Sequence, residues 1–168
     1  MIEITAKLAS GARDHVRGQL LLPFELRQKR WLFTKLVSGE KAALKLPRGA
    51  TLRGGDLLSA TDGRVIEVIA APERVVQVEC STPAELARVA YHLGNRHVAV
   101  QVGEGFLRLG ENHVLEEMLR GLGAKLTHIE APFEPETGAY RGAHSHRVNS
   151  DNPAARIHEF GGPDGSHE

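Results

Sequence analysis

Thr82-Pro83-Ala84-Glu85 is a helix start with every part present. It offers a hydroxyl to cap, a proline where a missing N–H costs nothing, and a glutamate placed to reach back to the cap. Leu86, Val89, Ala90 and Leu93 follow at helical spacing, and Gly94 is the expected stop. The flanks are strand-like. Before the helix, Val76, Val78 and Cys80 alternate with Gln77 and Glu79. After it, 98–102 reads as a strand, Gly103-Glu104-Gly105 as a turn, and Phe106-Leu107-Arg108-Leu109 as the returning strand. A second helix is predicted from Asn112 through Leu115, Met118, Leu119 and Leu122 to Gly123, and a strand over 125–131 closes the unit. The order β-α-β-β-α-β predicts a ferredoxin-like domain over 73–132.

The first 72 residues follow a different pattern. Gln19–Leu22, Arg30–Leu36, Lys41–Leu46 and Arg64–Ile69 are short apolar or alternating runs. Turn chemistry bounds them: Ser38-Gly39, Pro47-Arg48-Gly49, Gly54-Gly55-Asp56 and Asp62-Gly63. With no extended helical period among them, a small β-sandwich or open barrel is predicted over 1–72, and the chain as a whole is α+β. Residues 133–168 hold three prolines, five glycines and few aliphatics, so they are expected to form a flexible tail.

Charge sharpens this division. The chain carries 21 Lys+Arg against 21 Asp+Glu. Residues 1–75 hold 13 basic and 8 acidic side chains, and residues 76–168 the reverse. Eight of the nine histidines lie between His92 and His167. A neutral total argues against a nucleic-acid footprint. One cysteine, Cys80, excludes an internal disulfide and a multi-cysteine zinc site, and its alternation predicts a small core residue rather than a nucleophile. No apolar run approaches the ~20 residues that cross a membrane, and the alternating Met1–Leu8 is unlike an export signal. The expectation is a soluble, cytoplasmic protein.

The available chemistry is imidazole chemistry. His144-Ser145-His146 would put two rings on one side of an extended segment, where they can share a metal ion. The competing reading is a solvated pair on a polar tail. His97 follows Gly94-Asn95-Arg96, between a helix end and a strand start. One fixed histidine cannot make a metal site, but across a two-fold interface one ligand becomes two; the alternative is a surface histidine that only hydrogen-bonds. His92 reads as solvated, His113 as unligated at a helix start, and His128 as structural; His158 and His167 fall in the tail. No serine or cysteine nucleophile context, His-Glu-x-x-His motif or phosphate-cradling loop occurs, and Glu116-Glu117 reads as a solvated helix face. An enzyme is not expected.

Tyr91-His92-Leu93-Gly94-Asn95-Arg96-His97, with Gln101 after it, closely resembles the signature of the UreE family of urease accessory proteins. So do His113-Val114-Leu115-Glu116-Glu117-Met118-Leu119 and Leu46-Pro47-Arg48-Gly49-x-x-Leu52-Arg53-Gly54-Gly55-Asp56. The stretch Pro132-Phe133-Glu134-Pro135-Glu136, leading to Gly138-Ala139-Tyr140 and then to His144 and His146, is similar to that family's C-terminal junction. The resemblance covers most of the chain, in the family's order. It implies a cytoplasmic homodimer that carries nickel, Ni(II), to the urease maturation complex, with zinc, Zn(II), able to substitute. The implied ligands are His97 from each chain, with His144 and His146 completing or loading the site. The implied partners are the GTPase UreG and the urease apoprotein assembly, and the β domain would serve protein contacts. Two positions depart from the pattern: Ala99 where proline is frequent, and Asn112 where aspartate is common. Without a long histidine run, delivery is implied rather than storage. The rival expectation is a metal-independent binding or folding-chaperone module whose basic β domain docks an acidic partner.

Overall fold

Alternating apolar residues build the first sheet. In the computed structural model, residues 1–8 and 13–137 are described; the expectations for the tail, including His144, His146, His158 and His167, lie outside them. Strands β1 (Ile2–Lys7), β2 (Val16–Leu22), β3 (Trp31–Lys35), β4 (Lys41–Lys45), β5 (Leu57–Ala60) and β6 (Val65–Ala70) form one mixed sheet in the order β2-β6-β5-β1-β4-β3. The β1/β4 and β2/β6 pairs are parallel and the others antiparallel. Ile4, Leu20, Leu44, Leu58, Ile66 and Val68 from five of these strands share a single core with Leu36 and Leu52. The Val37 N–H, just past β3, donates to the Gln19 carbonyl on β2 at 2.9 Å, so the sheet's two edges meet. Of the two expected forms, the barrel is found and the sandwich is not, because one sheet curls around one core; it is closed at this seam rather than open.

The second sheet has β7 (Pro72–Glu79), β8 (Gln101–Gly103), β9 (Phe106–Gly110) and β10 (Lys125–Pro132) in the antiparallel order β10-β7-β9-β8. Helices α2 (Pro83–Gly94) and α3 (His113–Gly121) complete the βαββαβ pattern. The capping box is formed: Glu85 N–H donates to Thr82 Oγ1 at 3.2 Å, and Thr82 N–H donates to Glu85 Oε2 at 3.0 Å. Asn112 Oδ1 caps α3 by accepting from Val114 and Leu115 at 3.1 Å each. Val76, Val78, Leu107 and Leu109 from the strands pack with Val89 and Leu93 of α2 and Leu119 of α3. Two boundaries differ from expectation. Helix α2 runs through Gly94 to a cap at Asn95. Strand β8 is three residues long because Val98 is tied back to the helix end, its N–H donating to the Leu93 carbonyl.

The segment expected to start the flexible tail is instead held at its root. Phe133 is only 4% exposed and meets Phe24 edge to face, with ring centroids 5.5 Å apart. Phe24 opens α1 (Phe24–Arg27), a single turn between β2 and β3 that the sequence did not announce. At its end Arg27 is fully buried, with Nε donating to the Leu22 carbonyl at 3.1 Å, Nη1 to Glu134 Oε1 at 2.7 Å, and Nη2 to the Phe133 carbonyl. Glu134 also accepts from Arg53 Nη1 at 3.1 Å and from the Gly54 N–H at 2.7 Å. A Cβ on Gly54 would stand 3.0 Å from that carboxylate, so glycine permits the approach. Prolines and few aliphatics made 133–136 look unstructured, but two guanidiniums and a backbone amide hold it.

Candidate metal centre

His97 sits in the irregular stretch between α2 and β8, exposed to solvent. Arg96 N–H donates to the Leu93 carbonyl at 3.1 Å, and His97 N–H to the Gly94 carbonyl at 3.0 Å, so the chain winds tightly as it leaves the helix. His97 then adopts φ +53°, and among the described residues it alone among non-glycines has a positive φ. A glycine would take that conformation without strain. The expectation that a strand begins beside His97 does not hold, since β8 starts at Gln101. The ring is presented by a wound backbone rather than by a strand.

The other histidines are dispersed. His92 is half-buried, and its ring meets Tyr91 edge to face at 5.5 Å. His113 opens α3 and is exposed. His128 Nε2 lies 3.2 Å from Glu116 Oε2, and Arg120 bonds the same carboxylate oxygen at 2.9 Å. Glu116 is therefore a buried, paired group and only Glu117 is exposed, which corrects the reading of both as solvated. Among the described residues, no three His, Cys, Asp or Glu side chains lie close enough together to hold a metal ion. The structure brings no second ligand to His97 from those residues, and His144 and His146 lie outside them.

Two further features involve the elements that flank His97 in sequence. The first is the path of the chain after β10. Glu134 N–H donates to Gln101 Oε1 at 3.1 Å, and Glu136 N–H to the Val100 carbonyl at 2.8 Å. Gln101 thus acts as the acceptor that draws 133–136 to the β8 edge, close in sequence to His97. Burial pushes the Glu134 carboxyl up, but the Gly54 N–H, Arg53 and Arg27 outweigh it and hold it below the ordinary carboxylate range. Sequence reasoning missed Arg27 and Glu134 as positioning groups; for Glu134 the signal was present in the Leu52–Asp56 and Pro132–Glu136 motifs, which meet here, and for Arg27 there was none.

The second feature is an apolar face. Tyr91 on α2 is 65% exposed, and Val102 on β8 is exposed too. A groove is lined by Cys80, Pro83, Leu86, Ala87, Ala90 and Val102. Burial pushes the Cys80 thiol up, with Glu85 adding to the effect, so it stays a thiol packed against the second core.

The chain resembles known proteins throughout its length. The family model described as UreE urease accessory protein, N-terminal domain, matches residues 2–71, and that for the C-terminal domain matches 73–167. The urease accessory protein UreE of Nitrosospira multiformis is 48% identical over 148 residues, covering 88% of this chain and 84% of the relative. That of Pseudomonas fluorescens strain SBW25 is 50% identical over 148 residues, covering 86% and 89%. That of Azotobacter vinelandii is 47% identical over 154 residues, covering 89% and 93%.

Proposed function

This chain belongs to the UreE family of urease accessory proteins, and from that premise we propose that it is a nickel metallochaperone delivering Ni(II) during urease maturation. The observation that carries the proposal is His97: an exposed imidazole on a wound backbone at φ +53°, inside the family signature. Sparsely populated backbone conformations persist where the surroundings enforce them, and they cluster at functional sites. One imidazole binds a metal weakly, so the site takes His97 from each chain of a homodimer. The apolar face around Tyr91 and Val102 supports a second copy seated beside α2. His144 and His146 complete or load the site. Neutral imidazole also suits zinc, so Zn(II) substitutes.

The protein acts as a carrier rather than a catalyst, in the cytoplasm, handing its cargo to the GTPase UreG and the urease apoprotein assembly. No helix among the described residues is long and apolar enough to cross a membrane. Residues 1–72 serve protein contacts, 73–132 carry dimerisation and His97, and 133–168 carry the loading histidines.

Equilibrium dialysis with nickel tests this reading on the wild type, His97→Ala and a His144→Ala/His146→Ala pair. The first variant is expected to lose the tight site and the second to weaken it about tenfold or more. Unchanged stoichiometry and affinity in His97→Ala removes the assignment. Because only the neutral ring coordinates, nickel affinity is expected to fall between about pH 7.5 and about pH 5.5; a flat profile counts against imidazole ligation.

A further inference from the structure

Between His97 and the start of β8, residues 98–100 belong to no strand ladder. Val98 and Val100 pack against the second core, and Ala99 between them is exposed. Two backbone hydrogen bonds secure the ends of this stretch. The Val98 N–H donates to the Leu93 carbonyl at 3.5 Å, and the Val100 carbonyl accepts from the Glu136 N–H at 2.8 Å. The first is at the outer limit of hydrogen-bond length, so the second is the firmer of the two. One residue further on, Gln101 Oε1 accepts from the Glu134 N–H at 3.1 Å. Residues 134–136 therefore grip 100–101 by a main-chain bond and a side-chain bond.

The gripping segment is itself anchored in the barrel. Phe133 and Pro135 are buried. The Glu134 carboxylate accepts from the Gly54 N–H, Arg53 and Arg27. A continuous run of bonded groups thus leads from the barrel to a point three residues past His97. We infer that Gln101 and Glu134 are positioning residues for the metal site, holding the His97 turn in place and joining its rigidity to the barrel. The bearing on nickel rests on the proposed reading of His97, whereas the hold on the turn does not. A ligand on a mobile turn must be ordered as it coordinates, which costs affinity. Groups that orient a metal ligand from behind typically change affinity by about 10–100-fold when they are removed. The effect is also reciprocal: nickel at His97 tightens the barrel end of the joint by the factor with which the joint tightens nickel.

Amide hydrogen exchange of the full chain, followed by NMR, tests this on wild type, Gln101→Leu and Gln101→Glu. Leucine removes the acceptor. Glutamate keeps it, and Arg108 stands opposite in register to meet the added charge. Without metal, the Arg96, His97 and Val98 amides, which bond back to Leu93 and Gly94, are expected to exchange at least about tenfold faster in Gln101→Leu. The Val76 and Leu109 amides, within β7 and β9, are expected to keep their wild-type rates, which separates a loosened turn from a loosened fold. Gln101→Glu is expected to match wild type. With nickel, Gln101→Leu is expected to bind at least about tenfold more weakly. Nickel is also expected to slow exchange of the Gly54 amide, the donor to Glu134, in wild type and not in Gln101→Leu. Unchanged exchange over 96–98 in Gln101→Leu overturns the inference, as does glutamate behaving like leucine. So does wild-type nickel affinity with a loosened turn, or a Gly54 amide indifferent to nickel that His97 binds. Faster exchange over 96–98, with nickel binding that His97→Ala leaves untouched, upholds the hold on the turn and removes the metal reading instead.

Discussion

His97 shows how one residue can be costly to the fold and still stay. An L-residue at φ +53° pays a steric penalty that glycine avoids. The surroundings enforce the conformation: three consecutive N–H groups, from Arg96 to Val98, bond back to Leu93 or Gly94. Replacing His97 by alanine removes the ring and keeps the penalty, whereas glycine removes both. His97→Gly is therefore expected to be more stable than His97→Ala by about 1 kcal/mol, although both lose the proposed ligand. Urea denaturation of the two metal-free variants measures the gap. Equal stabilities would mean that the left-handed turn relaxes in alanine and that the backbone does not set the ring's position.

At the level of elements, what could be read early was what is local. The α2 cap closes within four residues, and both of its hydrogen bonds form as the sequence implies. Thr82→Ala is expected to cost about 1 kcal/mol in thermal or urea denaturation. Gly103 was legible as a turn residue but not for its actual constraint, which is the Phe106 ring lying against it: a Cβ there would come within 2.1 Å of the ring. Gly103→Ala is thus expected to destabilise by about 1–3 kcal/mol, and by much less in a Phe106→Ala background. A cycle showing no coupling would exclude the ring as the cause. The elements that stayed illegible depend on distant partners. Helix α1 has no side-chain cap of its own; the Phe24 N–H donates to Glu73, 49 residues away. The barrel closes through Val37 and Gln19, which no local pattern connects. The candidate site divides in the same way. The motif marked His97, whereas its positive φ and the anchoring of 133–136 through Gln101 emerge only when separate segments meet.

Across Met1–Glu136, which form one unit, the opposed charges of the two halves of the sequence meet at Glu134. A carboxylate from the acidic half lies between Arg27 and Arg53 of the basic half, and the same segment continues to the β8 edge. The joint ties the barrel to the β8 edge, the strand that follows the His97 turn. Because Arg27 is fully buried, removing its counter-charge leaves a cation with no route to water. Glu134→Gln keeps the shape and loses the charge, and is expected to cost about 3 kcal/mol near neutral pH. The sign of the pH dependence follows from the lowered carboxyl. Above the ordinary glutamate value of about 4.3 the group is ionised both folded and unfolded, so its contribution is complete. As pH falls below that value the unfolded chain takes up the proton first, and the contribution drains away until the folded group is protonated as well. Urea denaturation of wild type and Glu134→Gln at about pH 7, 5, 4 and 3 should show a gap that is constant across the first two and narrows across the last two. A gap that stays the same to the lowest pH would mean that shape, not charge, holds the joint, and Arg27 would then be neutralised by Glu73, 4.0 Å away.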